Sequence, residues 1–185
     1  VYVSDYVKPN TYENCVEGVQ KAIDVCKNRG AKVLSFEKGR YDIWPENAIR
    51  KEYFVSNTST EQECPSKVKT IGLLFDGLKD LEIAGNDALL MYHGKMIMMA
   101  FDQCKGIKVH SLTTDFERPT ASEIEYIKVG TEGVDVRFHR DSRYDIRDGK
   151  ISLIGEGWRS NINHCIEWDK DTHFFTYSGG WNTLA

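Results

Sequence analysis

The chain repeats itself. Leu73-Leu74-Phe75-Asp76-Gly77-Leu78-Lys79-Asp80-Leu81-Glu82-Ile83 lies over Met99-Ala100-Phe101-Asp102-Gln103-Cys104-Lys105-Gly106-Ile107-Lys108-Val109 at a constant offset of 26 residues. Phe75-Asp76 meets Phe101-Asp102, Lys79 meets Lys105, and Leu81-Glu82-Ile83 meets Ile107-Lys108-Val109. Gly133-Val134-Asp135-Val136 reads as a third, weaker copy, displaced by one residue. A period in the twenties, filled with short alternating strands, predicts the coils of a β-solenoid. The expected fold is therefore a right-handed parallel β-helix, mainly β. A leucine-rich repeat would need a Leu/Asn ladder, which is absent, and a doubly wound α/β fold would need more helices between the strands.

A stack of coils has an open end, a row of unpaired backbone groups over an apolar cross-section. The start of the chain predicts a cover for it. Tyr12, Cys15, Val16, Val19, Ala22, Ile23 and Cys26 recur with helical period, predicting an amphipathic helix from about Tyr12 to Asn28. Asn10 is the expected N-cap, with Glu13 completing a capping box, and Gly30 is placed to end the helix. Strands follow at Lys32–Phe36, Tyr41–Trp44 (stopped by Pro45) and Glu52–Ser56. Residues 57–67 read as a loop that carries a glycosylation sequon at Asn57-Thr58-Ser59.

Towards the end the texture changes. Asp148-Gly149 between alternating segments is a hairpin signal, and the following short strands look antiparallel. The expected organisation is a capping-helix region over residues 1–30, the first coils of the β-helix over 31–136, and an antiparallel segment over 137–185, with the change falling between about Thr131 and Arg143. That last part is expected to belong to a small inserted barrel. No capping pattern precedes Ala185, so the chain is expected to be a segment of a longer protein.

Composition excludes some classes. The formal net charge of −4, with acids and bases mixed along the chain, argues against a nucleic-acid binder. No apolar run approaches membrane-spanning length. The five cysteines are odd in number and widely spaced, so buried free thiols are expected rather than a disulfide framework, and no cysteine/histidine cluster has zinc spacing. No cofactor or metal is expected.

The opening helix with Val33-Leu34-Ser35-Phe36-Glu37-Lys38-Gly39-Arg40-Tyr41-Asp42-Ile43-Trp44 resembles the start of the pectate-lyase superfamily. A more specific stretch runs from Leu81-Glu82-Ile83-Ala84-Gly85-Asn86 through Met91-Tyr92-His93-Gly94-Lys95-Met96 to Ser111–Thr120. It is similar to the N-terminal region of bacterial α-1,3-galactosidases of glycoside hydrolase family 110, as are the Asp-Gly-Lys and Gly-Glu-Gly-Trp segments at Asp148 and Gly155. The resemblance implies a secreted, periplasmic or cell-surface location and a galactose-containing glycan as partner. It implies exo-hydrolysis of terminal α-1,3-linked galactose with inversion, by acids on later coils beyond Ala185. The chain by itself is then expected to be inactive, with the rest of the parent chain as its main partner. Two other readings stay open: a non-catalytic carbohydrate-binding or adhesin-like module, and a polysaccharide lyase.

Asp115 and Glu117 are the best carboxylate pair, because residues two apart on a strand face one side. Arg118 follows on the opposite face. Together they could hold sugar hydroxyls, or they are a solvated edge with a local ion pair. His93 could orient a sugar hydroxyl or be a hydrogen-bonded structural histidine, and the same holds for His110. Trp158 and Trp181, each beside a glycine, could stack on a pyranose or serve as barrel core. Phe75 and Phe101 are expected as stacked core residues, Asp76 and Asp102 as turn formers, and Gly77 and Gly85 as turn glycines.

Overall fold

The computed structural model describes residues 1–53, 66–120, 122–162 and 166–174. They form two compact units, Val1–Glu117 and Arg118–Ala185. The division therefore falls ahead of the composition change near Thr131. The sequon, Cys64, Cys165 and Trp181 lie outside the described residues.

The first unit opens with one 3₁₀ turn, Val3–Asp5, followed by α1, Val16–Arg29. Its buried stripe of Val16, Val19, Ala22, Ile23 and Cys26 is the expected one, with Cys15 buried just ahead of it. Gly30, at φ 63°, ends the helix, while the Ala31 N–H donates to the Cys26 carbonyl as in a Schellman cap. The start differs from expectation. Residues 10–15 are spent on pairing with the next strand: the N–H groups of Asn10 and Cys15 donate to the carbonyls of Arg40 and Asp42, both at 2.7 Å. Asn10 is therefore no N-cap; Asn14 Oδ1 instead accepts from the Val16 N–H at 3.1 Å.

Strands β1, Val33–Ser35, and β2, Gly39–Ile43, lie end to end along one edge of β5, Glu82–Tyr92, and β7, Lys108–Phe116, lies along its other edge, all parallel. A second sheet has the order β3, Ile49–Glu52, then β4, Val68–Asp76, then β6, Ile97–Asp102. The repeat survives as register: Phe75 pairs with Phe101 and Ile83 with Val109, each at the 26-residue offset. The register slips between Ala84 and Ala88 of β5. Asn86 and Asp87 turn there with φ 50° and 61°. Gly85 is not a turn glycine but a close-approach one: a Cβ on it would sit 2.2 Å from the Ser111 carbonyl oxygen.

The expected right-handed parallel β-helix is not what these residues form. A solenoid needs each strand of a coil to stack parallel on its counterpart in the next. Here the parallel offset is confined to two strand pairs, β3 runs antiparallel to β4, and the strands divide into small sheets of mixed direction with no closed coil among the described residues. The supposed third copy is not a further rung. It is β9, Gly133–Phe138, an antiparallel partner of β8, Ile124–Gly130.

The core lies in the first unit. Ile71, Leu73 and Phe75 of β4 and Ile83, Ala88, Leu90 and Tyr92 of β5 are buried, and most of them cluster with the α1 stripe, Leu34, Phe36, Tyr41 and Ile43. Phe101 stacks on Phe75 with ring centroids 4.7 Å apart, yet it is exposed rather than core. Asp76 and Asp102 form ion pairs, Asp76 with Lys27 at 2.7 Å and Asp102 with Lys51 at 2.8 Å, and Asp102 also accepts a hydrogen bond from the Tyr53 hydroxyl at 2.6 Å. Gln20 ties α1 to β4, its carboxamide accepting from the Leu74 N–H and donating to the Leu74 carbonyl, both at 2.9 Å.

The second unit is antiparallel. Besides β8 and β9 it contains a meander of β10, Arg143–Arg147, β11, Lys150–Gly155, and β12, Trp158–Asn161. Asp148 and Gly149 join β10 to β11 with φ 52° and 73°, the left-handed turn their sequence predicts. No helix among the described residues is long and apolar enough to cross a membrane.

Candidate functional site

Strand β2 is buried on both sides. Tyr41 and Ile43 enter the core, while alternation puts Arg40, Asp42 and Trp44 on the other face. Asp42 is 2% exposed, and a buried carboxylate must be paired. Arg40 supplies most of the pairing: Nε donates to both Asp42 oxygens at 2.9 and 3.1 Å, and Nη2 donates to Oδ1 at 2.6 Å. His93, just past β5 and itself buried, places Nε2 2.8 Å from Asp42 Oδ1. The Trp44 indole stacks on the His93 ring at 3.7 Å and 3°. Arg40 Nη2 also donates to Glu117 Oε2 at 3.0 Å, so the chain of charges runs from the interior to the surface.

The electrostatics follow from the contacts. Burial by itself would push the Asp42 carboxyl up, but the hydrogen bonds and charge of Arg40, with those of His93, more than offset it and hold the group below the usual carboxylate range. Hydrogen bonding to Asp42, opposed by burial and reinforced by Glu117, raises the Arg40 guanidinium further above its ordinary value. Asp42 is thus a fixed anion, unsuited to giving up a proton. Its role is to hold Arg40.

The candidates read from sequence fare differently. Glu117 joins this cluster. Asp115 is exposed and its Oδ1 accepts from the Phe116 N–H at 2.7 Å. Arg118 begins the second unit, where Nη1 donates to the Asp141 carbonyl at 2.7 Å. Within the first unit, Asp115 and Glu117 thus have different partners. His93 is buried and hydrogen-bonded to Asp42, and His110 pairs with Glu82 at 3.1 Å. The Trp158 ring lies on Gly155, where a Cβ would come within 2.1 Å of the indole, so this face is covered. Arg40, Asp42 and Trp44 were missed as site residues. The signal was present: charged, apolar and aromatic residues alternate through Arg40-Tyr41-Asp42-Ile43-Trp44.

Comparison with known proteins places the chain. Residues 122–185 match the family model described as GLAA-B beta-barrel domain I, a barrel and not a parallel β-helix. The whole chain aligns at 62% identity with alpha-1,3-galactosidase A of Bacteroides fragilis, covering 31% of that protein. It aligns at 33% identity over 98% of its length with alpha-1,3-galactosidase B of Bacteroides thetaiotaomicron, covering 29% of that protein. Alpha-1,3-galactosidase A of Shewanella woodyi is 26% identical over 91% of the chain. The chain spans about a third of the length of the curated relatives it matches. It is homologous along its whole length to part of the bacterial α-1,3-galactosidases.

Proposed function

We propose that this chain is part of an enzyme that hydrolyses terminal α-1,3-linked galactose from glycans, with inversion at the anomeric carbon. The observation that carries the reading is the 62% identity to a protein named alpha-1,3-galactosidase over the whole of this chain. Inversion requires one carboxylic acid to protonate the leaving oxygen and a second carboxylate to activate water, set roughly 6.5–9.5 Å apart. Asp42 is held ionised by Arg40, and Glu117 spends one oxygen on the same guanidinium. The lowered Asp42 carboxyl is the opposite of the raised one a general acid needs. In this reading the catalytic pair lies in the remainder of the parent enzyme, and this part supplies scaffold and substrate contacts. A secreted, periplasmic or cell-surface location fits a glycan substrate.

The test uses the longer polypeptide that contains this chain. Incubated with a terminal α-1,3-galactoside and followed by proton NMR, it should release galactose that appears first as the β-anomer. Binding without release would sink the hydrolase reading. Release first as the α-anomer would sink inversion.

A further inference from the structure

We propose that Arg40, Glu117 and Tyr12 form a contact site for a neutral pyranose unit of the glycan. This rests on the glycan-directed reading above and assigns it a specific surface.

The site is built from below. Asp42 and His93 are buried, and burying charged or polar groups of this kind gains little net stability compared with an apolar core. Their effect is to lock Arg40 in one orientation, through three hydrogen bonds to Asp42. Arg40 in turn fixes Glu117. With Nε and Nη2 occupied, the Nη1 N–H groups of Arg40 and Oε1 of Glu117 have no hydrogen-bond partner among the described residues. A donor group and an acceptor are thus held on one rigid ion pair at the surface. Each hydroxyl of a vicinal pair on a sugar can both donate and accept, so the two sets match.

Tyr12 supplies the apolar surface. Segment 9–12 is laid over Gly39, where a Cβ would sit 2.7 Å from Pro9 Cβ, and Asn10 Oδ1 accepts from the Arg40 N–H at 2.9 Å. This carries the Tyr12 ring over the Arg40 guanidinium, 5.3 Å from ring centroid to Cζ. Tyr12 is 69% exposed and adopts φ 59°, a left-handed conformation that costs a bulky residue energy. A strained, exposed aromatic beside an oriented donor and acceptor can pack on the C–H face of a pyranose.

Charge narrows the ligand class. Arg40 already faces two carboxylates, Asp42 and Glu117. Its guanidinium therefore has no uncompensated positive charge to offer a phosphate, sulfate or uronate. Both carboxylates are already engaged by the guanidinium, which leaves a poor cation site. A neutral sugar remains.

The experiment titrates isotope-labelled chain 1–185 with α-1,3-galactobiose. Saturable amide shifts are expected, confined to residues 10–12, 40–44 and 115–117. Glu117→Gln and Tyr12→Ala alter a half-buried and an exposed group without unpairing Asp42, and each should weaken binding about fivefold or more with an unchanged melting temperature. Absence of saturable shifts at these residues, or wild-type affinity in both variants, overturns the proposal. The parent polypeptide separates this inference from the hydrolase reading. If it releases no galactose while the shifts persist, hydrolysis falls and the contact site stands. If it releases galactose and Glu117→Gln does not raise KM, the site falls and hydrolysis stands.

Discussion

Asp42 shows how much one side chain can organise. Its carboxylate accepts from Arg40 and lies 2.8 Å from His93 Nε2, in a place almost closed to water. Asp42→Asn would keep the shape and remove the charge, leaving a guanidinium without its buried counter-ion. Breaking such a pair on one side costs roughly 3 kcal/mol, and urea denaturation should show a loss of that order. The pH dependence has a definite sign. The folded Asp42 carboxyl is held below its ordinary value. Its contribution is therefore full above the unfolded carboxylate pKa of about 4 and is lost as pH falls through the lower folded value. The acid limb of the stability curve should flatten in Asp42→Asn; an unchanged limb would show that Asp42 is not part of the acid response.

Among the elements, α1 matters by what it closes. Strand β3 pairs with β4 only over Val68–Ile71, so that edge of β4 further along needs other partners. Gln20 provides them at Leu74, satisfying one N–H and one carbonyl with a single carboxamide. Gln20→Leu should cost about 2 kcal/mol, since two backbone groups lose their partner in a half-buried place. Hydrogen exchange at the Leu74 amide should speed up along with the lower denaturation midpoint. Wild-type exchange there would show that the amide pair is incidental. The apolar stripe of α1 was readable because a helix carries its period in its own sequence. Gln20 was not, because its partner lies 54 residues away.

At the scale of the molecule, the core belongs to one unit. Every residue of the buried cluster, from Val3 to Tyr92, lies within Val1–Glu117. A polypeptide ending at Glu117 should therefore fold by itself and unfold in one cooperative transition, checked by near-ultraviolet circular dichroism through a thermal melt. A broad transition without near-ultraviolet signal would show that the first unit depends on the residues that follow.

Some features are properties of the chain alone. The helical stripe, the Gly30 stop, the Asp148-Gly149 turn and the 26-residue offset all appear in the structure where the residues put them. Each depends on local chemistry or on one segment resembling another. The relationship to the α-1,3-galactosidases was legible for the same reason. The architecture was not. An offset fixes which residues can pair in register, but not how many layers stack or whether a neighbouring strand runs parallel. Those were decided by which edges met: β3 against β4 in the opposite direction, and β8 with β9 in a hairpin. The candidate site belongs to this second kind. Glu117 could be singled out from its neighbours, but its partner Arg40 is 77 residues away and Asp42 meets His93 across 51. Only the packing of β2 beside β5 brings those groups together, because a buried charge selects its partner in space and leaves no period in the sequence.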